Sequence, residues 1–211
     1  MKGIYQDGPE WTSVTGAELE GFIEQINPID DRHRLSASTT QVAWRTTPFY
    51  PGIALIRVTD SGFIPSKLKV FYLAKEDRLF RLNGESLPIH QMNELAPIEL
   101  NEDNILDYIR FFCYFVRGEA GPFLVCEDIN DPCIPKGSAK TTAAVAGVVR
   151  EANYQGRDES DCYMADAIIF YGNALFQSNF RVEQTGMIEM LNDEAMTSEL
   201  DVEPDLPLKS N

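Results

Sequence analysis

The stretch Ile105-Leu106-Asp107-Tyr108-Ile109-Arg110-Phe111-Phe112-Cys113-Tyr114-Phe115-Val116-Arg117 decides the fold of this chain. Its second half is apolar on almost every side of a helix, and a helix without a polar face must be surrounded by protein. A strand would account for 111–116 alone and leave Ile105, Leu106 and Ile109 with no face to bury. Ahead of it, Asn101-Glu102-Asp103-Asn104 offers side-chain acceptors and negative charge to a first helical turn, and Gly118 stands where a left-handed C-cap would sit. The spacing predicts a buried central helix over 105–117, with the other elements layered around it.

Upstream the character is β. Branched and aromatic residues dominate 35–45, and 53–58 is an apolar run bounded by Pro51-Gly52 and Asp60-Ser61-Gly62. Residues 67–74 alternate, Lys75-Glu76-Asp77 turns them into 78–82, and Asn83-Gly84 predicts a hairpin returning through 86–89. These strands form a first antiparallel meander. Before it, Thr15-Gly16-Ala17-Glu18 has the form of a capping box, Leu19, Phe22, Ile23 and Ile26 recur at helical spacing, and Asn27-Pro28 ends the pattern. An N-terminal amphipathic helix follows from this.

Downstream, 122–126 reads as a strand and 131–138 has loop composition. A second meander is expected over 143–154, 162–171, 174–182 and 187–191, with turns at a spacing near ten residues. Past Leu191 come Asp193, Glu194, Glu199, Asp201, Glu203 and Asp205 against Lys209, with Pro204 and Pro207. Such a composition cannot bury enough apolar surface to hold a fold. The expected class is therefore α+β: two antiparallel meanders, an N-terminal amphipathic helix, a buried central helix and a disordered acidic C-terminal tail. One compact domain over 1–192 is expected, with a lobe boundary, if there is one, at 131–140 and the tail over 193–211.

The chain has 211 residues, of which 18 are basic and 33 acidic, for a net charge of −15. That balance argues against a nucleic-acid partner, since such binders carry basic patches. The charge is not uniform, however: residues 101–211 hold −12 of it, while 32–81 carries nine basic side chains against three acidic ones. A local anion site therefore survives the overall sign. The N-terminus lacks the apolar run of a signal peptide, and the longest uncharged stretch, 167–180, is too short and polar to span a bilayer. These features lead to the expectation of a cytoplasmic protein with no membrane contact. Cys113, Cys126, Cys133 and Cys162 form no C-x-x-C pair, and only His33 and His90 could complete a metal site, so neither metal nor cofactor is expected. Nucleotide-binding glycine loops, the serine-hydrolase elbow and H-E-x-x-H are absent from the sequence.

Three groups of residues could carry chemistry. On the central helix Arg110, Tyr114 and Arg117 recur at three- and four-residue steps, so two arginines could clamp a phosphate or carboxylate unless Asp107 or Glu119 satisfies them. Asp166 lies among Met164, Ile168 and Phe170, where a carboxylate must be paired, with Arg150 or Arg181 as the candidates, or be raised in pKa as a general acid or base. His90 closes the first meander as the other proton-transfer candidate. Absence of a local catalytic motif favours a binding or protein-interaction module, with a protein or small anionic ligand as partner. The alternative is an enzyme acting on a small anionic substrate in a cleft between the meanders, and a weaker one is an acidic nucleic-acid mimic.

Overall fold

The structure is a computed structural model that describes residues 10–30, 33–130, 137–197 and 200. Among the described residues it is α+β, with four helices and two large antiparallel sheets. The first sheet has the order β1 Thr12–Val14, β2 Thr40–Thr47, β3 Tyr50–Asp60, β4 Val70–Lys75 and β5 Arg78–Arg81, each strand beside its sequence neighbour. The second runs β12 Ile188–Ala195, β11 Ala174–Val182, β10 Tyr163–Tyr171 and β8 Leu124–Val125. β9 Asn153–Arg157 lies on the β8 edge of β10, opposite residues 163–166, while β8 lies opposite 169–170. A small ribbon, β6 Arg117–Gly118 with β7 Gly121–Pro122, follows the central helix.

Alternation divides the first sheet between two cores. Val42, Ile56, Val58, Val70 and Tyr72 pack with Ile23 and Ile26 of α1 Gly16–Ile26. On the opposite face Ala43, Leu55, Phe71 and Leu73 join Ile89 and Met92 of α2 Leu87–Leu95 and the apolar residues of α3 Ile105–Phe115. Tyr163, Ala165, Ala167, Phe180 and Val182 of the second sheet belong to that same cluster, so α3 lies in a core shared by both sheets. An aromatic lattice fills it. Phe111 stands 4.9 Å from Phe115 and 5.3 Å from Phe49, and Phe71 meets Phe115 edge-on at 5.1 Å.

Several local expectations need correction. Thr15 is the N-cap of α1 with extended backbone, but its side chain makes no capping hydrogen bond. Asn83-Gly84 makes no hairpin: Asn83 Oδ1 accepts from the Glu85 N–H at 3.0 Å, the Gly84 carbonyl accepts from the Arg117 N–H at 2.8 Å, and Ser86 opens α2. Asn104 precedes α3 but does not cap it; its amide instead donates to the carbonyls of Pro48 and Glu99, fixing the helix start against the β2–β3 turn. The helix ends at Phe115, with Val116 extended and Gly118 in β6. Residues 143–146 belong to α4 Ala139–Ala146, capped by the Ser138 hydroxyl, and the strand expected there starts at Asn153. β12 runs to Ala195, so residues 193–195 form strand where the acidic tail was expected to begin. Leu200 is buried, its N–H donating to the Asn173 carbonyl. The rest of the expected tail, 198–199 and 201–211, and the loop at 131–136 lie outside the described residues. Among the described residues no helix is long and apolar enough to cross a membrane.

Candidate functional site: a cavity under the first helix

Between α1 and the first sheet lies a cavity of about 290 Å³. Ile26, Leu35, Val58, Phe63, Leu68 and Val70 form its walls, and the polar groups at its boundary come from Asp30, His33, Tyr72 and Arg81. The loop that closes it is held to α1 by Asn27, whose side chain accepts from the Leu35 N–H at 2.8 Å and donates to the Leu35 carbonyl at 3.1 Å.

The buried anchor of the site is Asp60, the last residue of β3. Its Oδ2 accepts from the hydroxyls of Thr39 at 2.8 Å and Thr40 at 2.6 Å. Its Oδ1 accepts from the Gly62 N–H at 2.7 Å and lies 3.0 Å from His33 Nε2. Burial alone would raise this carboxyl, but the donors Thr40, Gly62, Thr39 and His33 outweigh it and hold the pKa below the ordinary aspartate value. Space dictates the glycine: a Cβ at residue 62 would come within 2.6 Å of His33 Cε1. The His33 ring also meets Phe63 edge-on at 5.1 Å, which places it between a carboxylate and an apolar wall.

Across the cavity Arg81 Nη1 pairs with Asp30 Oδ2 at 2.6 Å, and the Tyr72 hydroxyl donates to the same oxygen at 3.1 Å. Arg81 Nε is buried and has no hydrogen-bond acceptor among the described residues. The site thus combines an apolar interior with two carboxylates each matched to a nitrogen base.

The residues singled out from sequence are dispersed. Arg110 is fully engaged: its Nε and Nη2 reach the two oxygens of Glu127 at 2.7 Å each, and its Nη1 reaches Asp107 at 2.7 Å. Glu127, rather than Glu119, completes its pairing. Arg117 lies beyond the end of α3, so it does not share a helix face with Arg110, and burial lowers its pKa. Tyr114 is buried against Phe71 and Phe115. Asp166 is paired with Arg150 and accepts from Gln155 at 2.6 Å and Asn153 at 3.2 Å. Burial would raise its pKa, yet these donors hold it below the ordinary value, which keeps the carboxylate ionised at neutral pH. Arg181, the other candidate partner, pairs with Asp158.

His90 lies on α2 at a second, more open cleft of about 470 Å³, lined also by Asn93, Glu94, Ile98, Gln184 and Met187. Beneath this cleft the Asn93 amide receives the Tyr50 hydroxyl at 2.6 Å and donates to the Thr185 carbonyl at 3.1 Å, while the Tyr108 hydroxyl donates to the Gly186 carbonyl at 2.6 Å. Neither cavity is lined by Arg110, Arg117 or Asp166. Among the described residues, no three His, Cys, Asp or Glu side chains are grouped to hold a metal ion. No family model, curated protein or solved structure matches this chain.

Proposed function

We propose that the protein is a binding module whose cavity under α1 holds a small, uncharged, mostly apolar ligand. The observation that carries this reading is that both carboxylates beside the apolar interior are already engaged: Asp30 with Arg81, and Asp60 with His33, the Thr39 and Thr40 hydroxyls and the Gly62 N–H. An anionic ligand would have to displace a carboxylate from one of these partners, whereas an uncharged one leaves both pairs intact. The volume of about 290 Å³ is at the lower end of the range for small-molecule sites.

The test uses NMR of the full chain with a set of uncharged aromatic amides and their matched carboxylates. Amides should shift the methyl signals of Ile26, Val58 and Leu68, the carboxylates should bind more weakly, and Leu68→Trp, which fills the cavity, should abolish binding. Preferential binding of the carboxylates, shifts confined to other residues, or no binding by any member of the set would overturn the reading.

A further inference from the structure

β12 is hydrogen-bonded to β11 alone, so among the described residues its outer side is an open sheet edge. Such an edge presents a row of backbone N–H and C=O groups ready to pair with another strand. Seven of its eight residues are exposed. Met187 before it, Met190 and Leu191 on it and Met196 after it place four exposed large apolar side chains within ten residues. Methionine is flexible and polarizable, and it recurs on surfaces that accept varied partners.

Charge selects the occupant. The strand carries Glu189, Asp193 and Glu194 and no basic residue. Arg181, 3.9 Å from Glu189, is already engaged through its Nε with Asp158 at 2.7 Å. Two copies of β12 paired edge to edge would set these carboxylates against one another, which is destabilising across a strand pair. The same repulsion meets Asp201, Glu203 and Asp205, which follow in the sequence. A basic strand meets none of it.

We infer that β12 is a docking edge for an extended, basic segment of another protein, which adds to the second sheet as a further strand. Main-chain hydrogen bonds to the open edge supply affinity, the carboxylates select lysine or arginine, and the methionines cover the apolar side chains between them. The cleft of about 470 Å³ shares Met187 with this edge and carries Glu94, His90 and Gln184. It is placed to receive one side chain from the end of the docked segment.

The probe is a fluorescent ten-residue peptide alternating lysine with valine or threonine, set against a glutamate counterpart and a backbone N-methylated lysine version. The lysine peptide should bind the full chain with an affinity that falls as salt rises, and amide hydrogen exchange should slow across residues 188–195. The glutamate peptide should not bind, and both N-methylation and the double substitution Asp193→Lys with Glu194→Lys should weaken binding at least tenfold. Equal affinity of the methylated and unmethylated peptides would reduce the effect to simple charge attraction and overturn strand addition. Protection mapped elsewhere, self-association of the chain through 188–195, or no peptide binding would overturn the inference outright, and the exchange experiment stands even if the double variant fails to fold.

Discussion

Replacing Asp60 tests the anchor of the cavity directly. Its carboxylate accepts two hydroxyls and one backbone N–H and faces His33, and its side chain is almost fully enclosed. Hydrogen bonds to an ionised group are worth about 1.5–3 kcal/mol each, but bonds sharing one acceptor are not additive. Removing the carboxylate strands the donors it satisfied, the Thr39 and Thr40 hydroxyls and the Gly62 N–H, at about 1–3 kcal/mol for each that stays buried, or about 3–5 kcal/mol together. Asp60→Ala should therefore lose roughly that amount, a large share of the 5–15 kcal/mol that holds a typical domain. With a urea slope of about 2 kcal/mol/M, the unfolding midpoint should fall by roughly 2 M with the slope unchanged. Asp60→Asn keeps the shape but turns an amide N–H₂ toward donors, so it should lose somewhat less.

The pH dependence has a definite sign. Asp60 has a folded-state pKa below the ordinary aspartate value of about 3.9, so in acid the unfolded chain binds its proton first. Its contribution is complete above the unfolded pKa and disappears as pH falls through the folded one. The stability gap between wild type and Asp60→Asn should be full at neutral pH and narrow as the solution is taken below about pH 4. A loss under about 1 kcal/mol for Asp60→Ala, or a gap independent of pH, would refute the argument.

Three further outcomes are expected. Arg110→Met leaves Glu127, whose side chain is nearly buried, without its guanidinium and should cost about 3–5 kcal/mol in urea unfolding; adding Glu127→Met should restore at least half of it, whereas unchanged stability of the single variant would return Arg110 to the binding candidates. Gly186→Ala adds a Cβ at φ +81°, within 2.5 Å of Asn93 Nδ2 and 2.7 Å of the Tyr108 hydroxyl, and should destabilise by at least about 2 kcal/mol on thermal unfolding; a neutral result would show that this turn can move freely. Burial pushes the Cys113 thiol up to about 12, so mass spectrometry after iodoacetamide at pH 8 should find it unmodified in native protein and alkylated in urea; rapid native labelling would contradict its burial.

Long periodic segments were legible in the sequence, and signals that depend on the rest of the molecule were not. The start of α3 at Ile105 and both ends of β11 coincide with the reading from residues, because apolar spacing and the Gly172-Asn173 turn act locally. Gly84 does take a positive φ, as Asn83-Gly84 suggests, but its carbonyl is claimed by Arg117 far along the chain, and Ser86 with Pro88 starts a helix. Proline close to a serine was the local signal for that helix, outweighed by the hairpin motif. In 139–146, the serine cap and the alanines win over β-branched Thr and Val. The cavity could not be read in this way. Asp60 enters the sequence only as a turn residue, and His33 lies 27 positions before it with no motif linking them. Asp107 could be read as a partner of Arg110 from their spacing on one helix, whereas Glu127 reaches it from beyond the helix with no local signal.

The ties beneath the second cleft bear on how the chain is made. Asn93 meets Thr185 across 92 residues and Tyr108 meets Gly186 across 78. During synthesis from the N-terminus, α2 and α3 leave the ribosome well before the β11–β12 turn that completes their polar partners. Until that turn arrives, the Tyr108 hydroxyl lacks the Gly186 carbonyl that the finished fold sets against it and needs water in its place. The polar partners of α2 and α3 are therefore completed only once the chain has been made through residue 186, so the last ties to these two early helices come from a late turn.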